Sequence, residues 1–75
     1  MVTALRQNSL WFIIYTADHE PAHVHVYGVG EVRIDIVTLK VLTQGGLSDR
    51  DARRALAVVE ESRDAFLETW RKYHG

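Results

Sequence analysis

From His23 to Ile36 the chain alternates almost without a break. "HVHVY" sets His23, His25 and Tyr27 to one side and Val24 and Val26 to the other; "EVRIDI" sets Val32, Ile34 and Ile36 against Glu31, Arg33 and Asp35. A period of two belongs to a β-strand, whose successive side chains point to opposite faces. Between the two runs stands "GVG", with glycines at hand for positive φ. The pattern predicts an antiparallel hairpin over a three-residue loop. It also fixes the register, because a slip of one residue would set polar against apolar faces. The predicted cross-strand pairs are Tyr27 with Glu31, His25 with Arg33, and His23 with Asp35.

The flanking segments extend this sheet. "LWFIIYTA", Leu10 to Ala17, is apolar on both faces, as in a central strand covered on both sides or one that faces a partner chain. "QNS" before it reads as a turn, which makes "TALR" a short preceding strand. Pro21 lacks a donor and pushes Glu20 out of the helical region, so Asp18 to Ala22 form a loop. "TLKVLT" gives a short last strand that ends at "QGG". Beyond Ser48 the period changes. Ala52, Ala55, Leu56, Val59, Phe66, Leu67, Trp70 and Tyr73 recur at helical spacing. Ser48 is a good N-cap, with Asp51 three residues on, and Arg71 and Lys72 suit the negative end of the helix.

The expected fold is a single α+β domain over residues 1–75: a mainly antiparallel sheet of three to four strands with one long C-terminal helix on its apolar face. One helix covers one face only, so the two-faced apolar strand predicts a homodimer or partner interface. Arg63 falls inside the apolar stripe, where it either snorkels or reaches a carboxylate or anion. His74 is expected to be frayed and uninvolved.

Composition removes several classes. Without cysteine there is no disulfide and no thiolate zinc site. A net charge of -1 gives no global basic excess for non-specific nucleic-acid binding. No apolar run approaches the roughly 20 residues of a membrane span, and the start lacks the pattern of a signal peptide. A cytoplasmic protein is therefore expected. The 75 residues bury a thin core, so a second copy, a partner chain or a non-thiol metal is the expected reinforcement.

"ADHEPAHVHVYG", then "EVRIDIVTLKVL", a glycine turn and "RDAFLETW" resemble the bacterial family called domain of unknown function 4160. Its pattern is Asp-His-x-Pro-Pro-His-x-His, an Ile-rich strand, a turn, and a helix closing on Leu-x-x-x-Trp. Asp18, His19, Pro21, His23 and His25 match it. Ala22 stands where the second proline is common, and Ser62 stands where many members carry a polar or histidine residue. The resemblance implies a small α+β domain. It also implies a gene lying beside one for a small partner protein, in a suspected toxin-antitoxin arrangement. The family brings no established activity.

The histidine cluster supports two chemistries. Two histidines at i, i+2 on a strand lie about 6–7 Å apart on one face and could ligate one ion if a third group closes the site. Asp18, His19 and Asp35 are the available third ligands, and Asp35 could instead hold the outer nitrogen of His23. The expected ion is a divalent transition metal (zinc, nickel, manganese or iron), with no ion as the equal alternative. In a metal-free site, His23 and His25 would serve as general base and acid, with Arg33 holding phosphate and Tyr27 orienting substrate. That set suits cleavage of RNA, as in a small nuclease-like toxin. The competing account is a non-catalytic module that binds a partner through its sheet edge or first strand. In that account the histidine face is an ordinary polar surface, whose cross-strand pairs contribute about 0.2–1 kcal/mol each. A site requires the histidines to lie off the helix-packed face and beside Asp18 and Asp35.

Overall fold

The computed structural model describes residues 2–74. Among them are five strands and two helices: β1 (Val2–Gln7), β2 (Leu10–Ile14), β3 (His23–Tyr27), β4 (Glu31–Asp35), β5 (Val41–Gly45), α1 (Asp49–Glu61) and α2 (Arg63–His74). The strands form one antiparallel meander in the order β1-β2-β3-β4-β5. The α+β class is as expected, but the sheet is wider by a strand and the helix is divided.

The central hairpin has the register that the alternation dictates: His23 pairs with Asp35, His25 with Arg33 and Tyr27 with Glu31. Strand β2 pairs Ile13 with His25, Phe12 with Val26 and Trp11 with Tyr27. The register therefore separates two faces. Phe12, Val24, Val26, Val32 and Ile34 are fully buried on one face, in a core shared with Ala52, Ala55, Val59, Phe66 and Trp70 of the helices. Phe12 and Phe66 meet with ring centroids 5.8 Å apart. Each such side chain contributes about 1.5–3 kcal/mol of burial. The histidines belong to the other face.

The connections are short and carry their own chemistry. Asn8 and Ser9 both take positive φ, 56° and 62°, as a two-residue hairpin turn between right-twisted strands requires. Ser48 caps α1 by accepting from the Asp51 amide at 3.1 Å. An unbroken helix from Ser48 to His74 would be about 40 Å long, longer than the 33 Å maximum extent of the molecule. The break at Ser62, with φ -103° and ψ 15°, keeps both halves on the sheet. It also turns Trp70 toward the end that carries His23. Arg63 snorkels and donates to the backbone carbonyl of Val37, so the helix break is tied to the β4–β5 connection.

Candidate metal centre

Strand β3 turns His23 and His25 away from the face of Val24 and Val26, with Trp70 of α2 reaching round to His23, and the loop before it folds back over them. The Asp18 amide donates to the Tyr15 carbonyl at 3.3 Å, and the Ile36 amide donates to the Ala22 carbonyl at 3.0 Å, which fixes both ends of the loop. Asp18 Oδ2 then accepts from His25 Nε2 at 2.8 Å and from His23 Nε2 at 3.0 Å. One ligand atom from each of Asp18, His23 and His25 falls within 4.8 Å of the others. His23 is 9% exposed and His25 5%, so both rings are shielded from water, while the Asp18 carboxylate stays partly open to it.

The outer nitrogens of both rings also face acceptors. His23 Nδ1 lies 2.7 Å from the Pro21 carbonyl, and His25 Nδ1 lies 3.6 Å from Glu31 Oε2. Carbonyl and carboxylate oxygens only accept, so His23 satisfies both neighbours only with a proton on each nitrogen or a metal ion at Nε2. With its proton on Nε2, His25 turns a bare Nδ1 toward Glu31, and that buried nitrogen has no hydrogen-bond partner. Burial alone would raise the Asp18 carboxyl. The hydrogen bond from His25 and the attraction of His23 outweigh it and hold the carboxyl below its ordinary value. Asp18 therefore adds stability in full above the ordinary carboxylate range and loses it as the pH falls from that range through its own lower value.

Aromatic rings wall the group. Tyr15 meets His25 edge-on at 4.6 Å and shares a 2.9 Å hydroxyl hydrogen bond with Tyr27. Trp70 packs on His23 at 5.4 Å, and its indole N–H donates to Glu20 Oε1 at 3.3 Å. Tyr27 is raised above the ordinary phenol value by burial, by the hydrogen bond with Tyr15 and by Glu31. A folded-state value above the unfolded one gives stability that is complete below about pH 10 and is lost above it. Absorbance titration at 295 nm should therefore show one tyrosine ionising later than the rest, and Tyr27→Phe should remove that late step.

Of the residues marked in the sequence, the fold brings together Asp18, His23 and His25. It leaves His19 exposed on the loop. The expected place of Asp35 beside the histidines is not met: Asp35 Oδ1 accepts from the Val37 and Thr38 amides, each at 2.8 Å, and so closes the β4–β5 turn, leaving Asp18 as the one carboxylate of the group. Arg33 is half exposed, with its guanidinium 3.8 Å from Glu31. Glu31, the Pro21 carbonyl and Trp70 border the group as well, beyond the residues that the sequence pattern picks out. Glu31 was legible as the cross-strand partner of Tyr27 on the histidine face. His74 is not free at the chain end as expected: it stacks on Trp70 at 3.7 Å and bonds the Trp70 carbonyl through Nδ1 at 2.8 Å.

The profile of the family described as Domain of unknown function (DUF4160) matches residues 10–71. That span holds β2 to β5, α1, most of α2 and the whole histidine group, and the chain belongs to this family. No curated protein and no solved structure matches it.

Proposed function

We propose that this member of the DUF4160 family binds a divalent transition metal ion through His23 Nε2, His25 Nε2 and the Asp18 carboxylate. One observation carries the reading: both rings aim Nε2 inward at Asp18 and Nδ1 outward at an acceptor. Metal-ligating histidines ordinarily give their second nitrogen to a carbonyl or carboxylate, which fixes the tautomer. An ion at both Nε2 atoms moves the His25 proton to Nδ1, where it faces Glu31. That change gives the buried nitrogen an acceptor to face. Two imidazoles and one carboxylate suit zinc, nickel or iron and leave coordination positions for water or substrate. Phosphodiester cleavage is the reaction proposed for such an ion, and Arg33, whose guanidinium lies 3.8 Å from Glu31, is the residue proposed to hold phosphate.

The test is metal content. Protein purified without a histidine tag and dialysed against about 1.2 equivalents of zinc or nickel should retain close to one ion per chain by elemental analysis. The variant carrying both His23→Ala and His25→Ala should retain almost none, while His19→Ala should match wild type. Retention by the double variant would refute the site.

A second reading, a protein-binding module, has its own support at the opposite edge of the sheet. Val41 and Leu42 of the edge strand β5 are 42% and 43% exposed. A groove of about 260 Å³ beside them is lined by Val41, Gln44, Ala52 and Leu56, among others. Sedimentation of wild type and Leu42→Lys tests it, since only a module that self-associates through this edge should shift between the two.

A further inference from the structure

At the hairpin end of the histidine face, beyond the proposed ion, stands a tryptophan that the core does not use. Trp11 is 48% exposed, whereas Ile13, two residues on, is 5% exposed beside His25. Trp11 is the cross-strand partner of Tyr27. The Arg6 guanidinium lies 4.8 Å from its ring centroid, and Arg6 makes no ion pair among the described residues. Two clefts meet at Trp11. One, about 420 Å³, is lined by Ser9, Trp11, Tyr27, Gly28 and Val29. The other, about 430 Å³, runs along Arg6, Gln7, Asn8 and Ser9. At the mouth of the first cleft Val29 is 97% exposed.

A half-exposed indole, a second aromatic ring, an unpaired guanidinium and small polar groups from a tight turn form a combination with a specific complement. The indole offers a flat apolar surface to a planar ring. The guanidinium beside it offers charge and a fork of donors to an anion one bond system away. A purely apolar partner would leave Arg6 unused, and a simple anion would leave Trp11 unused. A nucleobase joined to a phosphate uses both.

We infer that Trp11, with Arg6 and Tyr27, is a binding site for a nucleobase and its attached phosphate. The Trp11–Tyr27 row lies two residues, about 7 Å, along the strands from the Ile13–His25–Arg33 row. Glu31 completes the Trp11–Tyr27 row and faces Arg33 at 3.8 Å, so a neighbouring phosphate of a nucleotide stacked on Trp11 would reach Arg33 by displacing that carboxylate. This deepens the metal reading by naming the substrate class of the same face, but the stacking itself needs no ion.

The experiment is fluorescence anisotropy with labelled single strands of about six nucleotides, RNA and DNA of one sequence. Unlabelled adenosine monophosphate serves as competitor and a duplex as control. Wild type should bind the single strands saturably and the duplex far more weakly. Trp11→Ala, with unchanged circular dichroism because the residue is exposed, should weaken binding roughly ten- to hundredfold. Arg6→Gln should lower the salt slope by about 0.7. Competition by adenosine monophosphate at concentrations near its own site affinity would mark a free nucleotide as the ligand; its failure to compete would mark a strand. Wild type should bind the strands equally well with a chelator present, so loss of the metal reading and loss of this one are separable. Unchanged affinity in Trp11→Ala, or equal binding of duplex and single strand, would overturn the proposal.

Discussion

Trp70→Ala is expected to lower the unfolding free energy by about 3–5 kcal/mol, the usual cost of truncating a large buried aromatic residue. Trp70 is 3% exposed and belongs to the core between sheet and helices. It also packs between His23 and His74 and bonds Glu20 on the loop that carries Asp18. Truncation should therefore loosen the loop as well as the core. Denaturant titration measures the first effect, and hydrogen exchange of the loop amides near Asp18 measures the second. Trp70→Phe separates them: it keeps most of the packing and loses the indole donor. Its stability cost should be well under that of alanine, while the loop exchanges faster than in wild type. A loop unaffected by either substitution would show that α2 only covers the core and does not support the histidine group.

Gly30→Ala is the second severe change, expected to cost about 3 kcal/mol or more. A Cβ at Gly30 would strike the backbone of Gly45, Gly46 and Leu47, where that segment crosses the end of the hairpin and Glu31 bridges to Gly46. Side chains can rotate away from a new methyl group; these backbone atoms cannot. The control is Gly45→Ala, where nothing lies within 4 Å of the added carbon, so stability should change by no more than about 0.5 kcal/mol. Parallel urea melts of the two variants compare a buried backbone crossing with an open edge strand. Similar midpoints would contradict the packing of β5 and its exit against the hairpin.

Much of the sheet was legible because alternation is a strong signal. Val24, Val26, Val32 and Ile34 have one acceptable face, so the pairing of His23 with Asp35 and of His25 with Arg33 follows from a single turn. The division of the helix was not legible. Val59, Phe66 and Trp70 keep one helical phase across Ser62, so the apolar stripe gives no sign of the break found there. The site was legible in part for a related reason. His23 and His25 lie on a strand, whose period tells which way they point. Asp18 and His19 are adjacent in a loop without a period, and only the folded path shows that Asp18 turns inward. Asp35 has the strand register of a ligand, but it sits where the chain turns, and its carboxylate finds nearby amides first. His74 lies at the chain end, where fraying is the default, although its i, i+4 spacing from Trp70 is that of a stacked helical pair.

The proposed ion sits between Asp18, His23 and His25. The most direct measurement is an anomalous difference map from crystals grown with zinc or nickel, collected on both sides of the metal absorption edge. One strong peak is expected about 2.0–2.2 Å from His23 Nε2, His25 Nε2 and an Asp18 oxygen, with Nδ1 of His23 still on the Pro21 carbonyl and Nδ1 of His25 drawn toward Glu31. Asp18 Oδ2 still bonded directly to both rings, with the only peaks at exposed His19 or in the lattice, would contradict it.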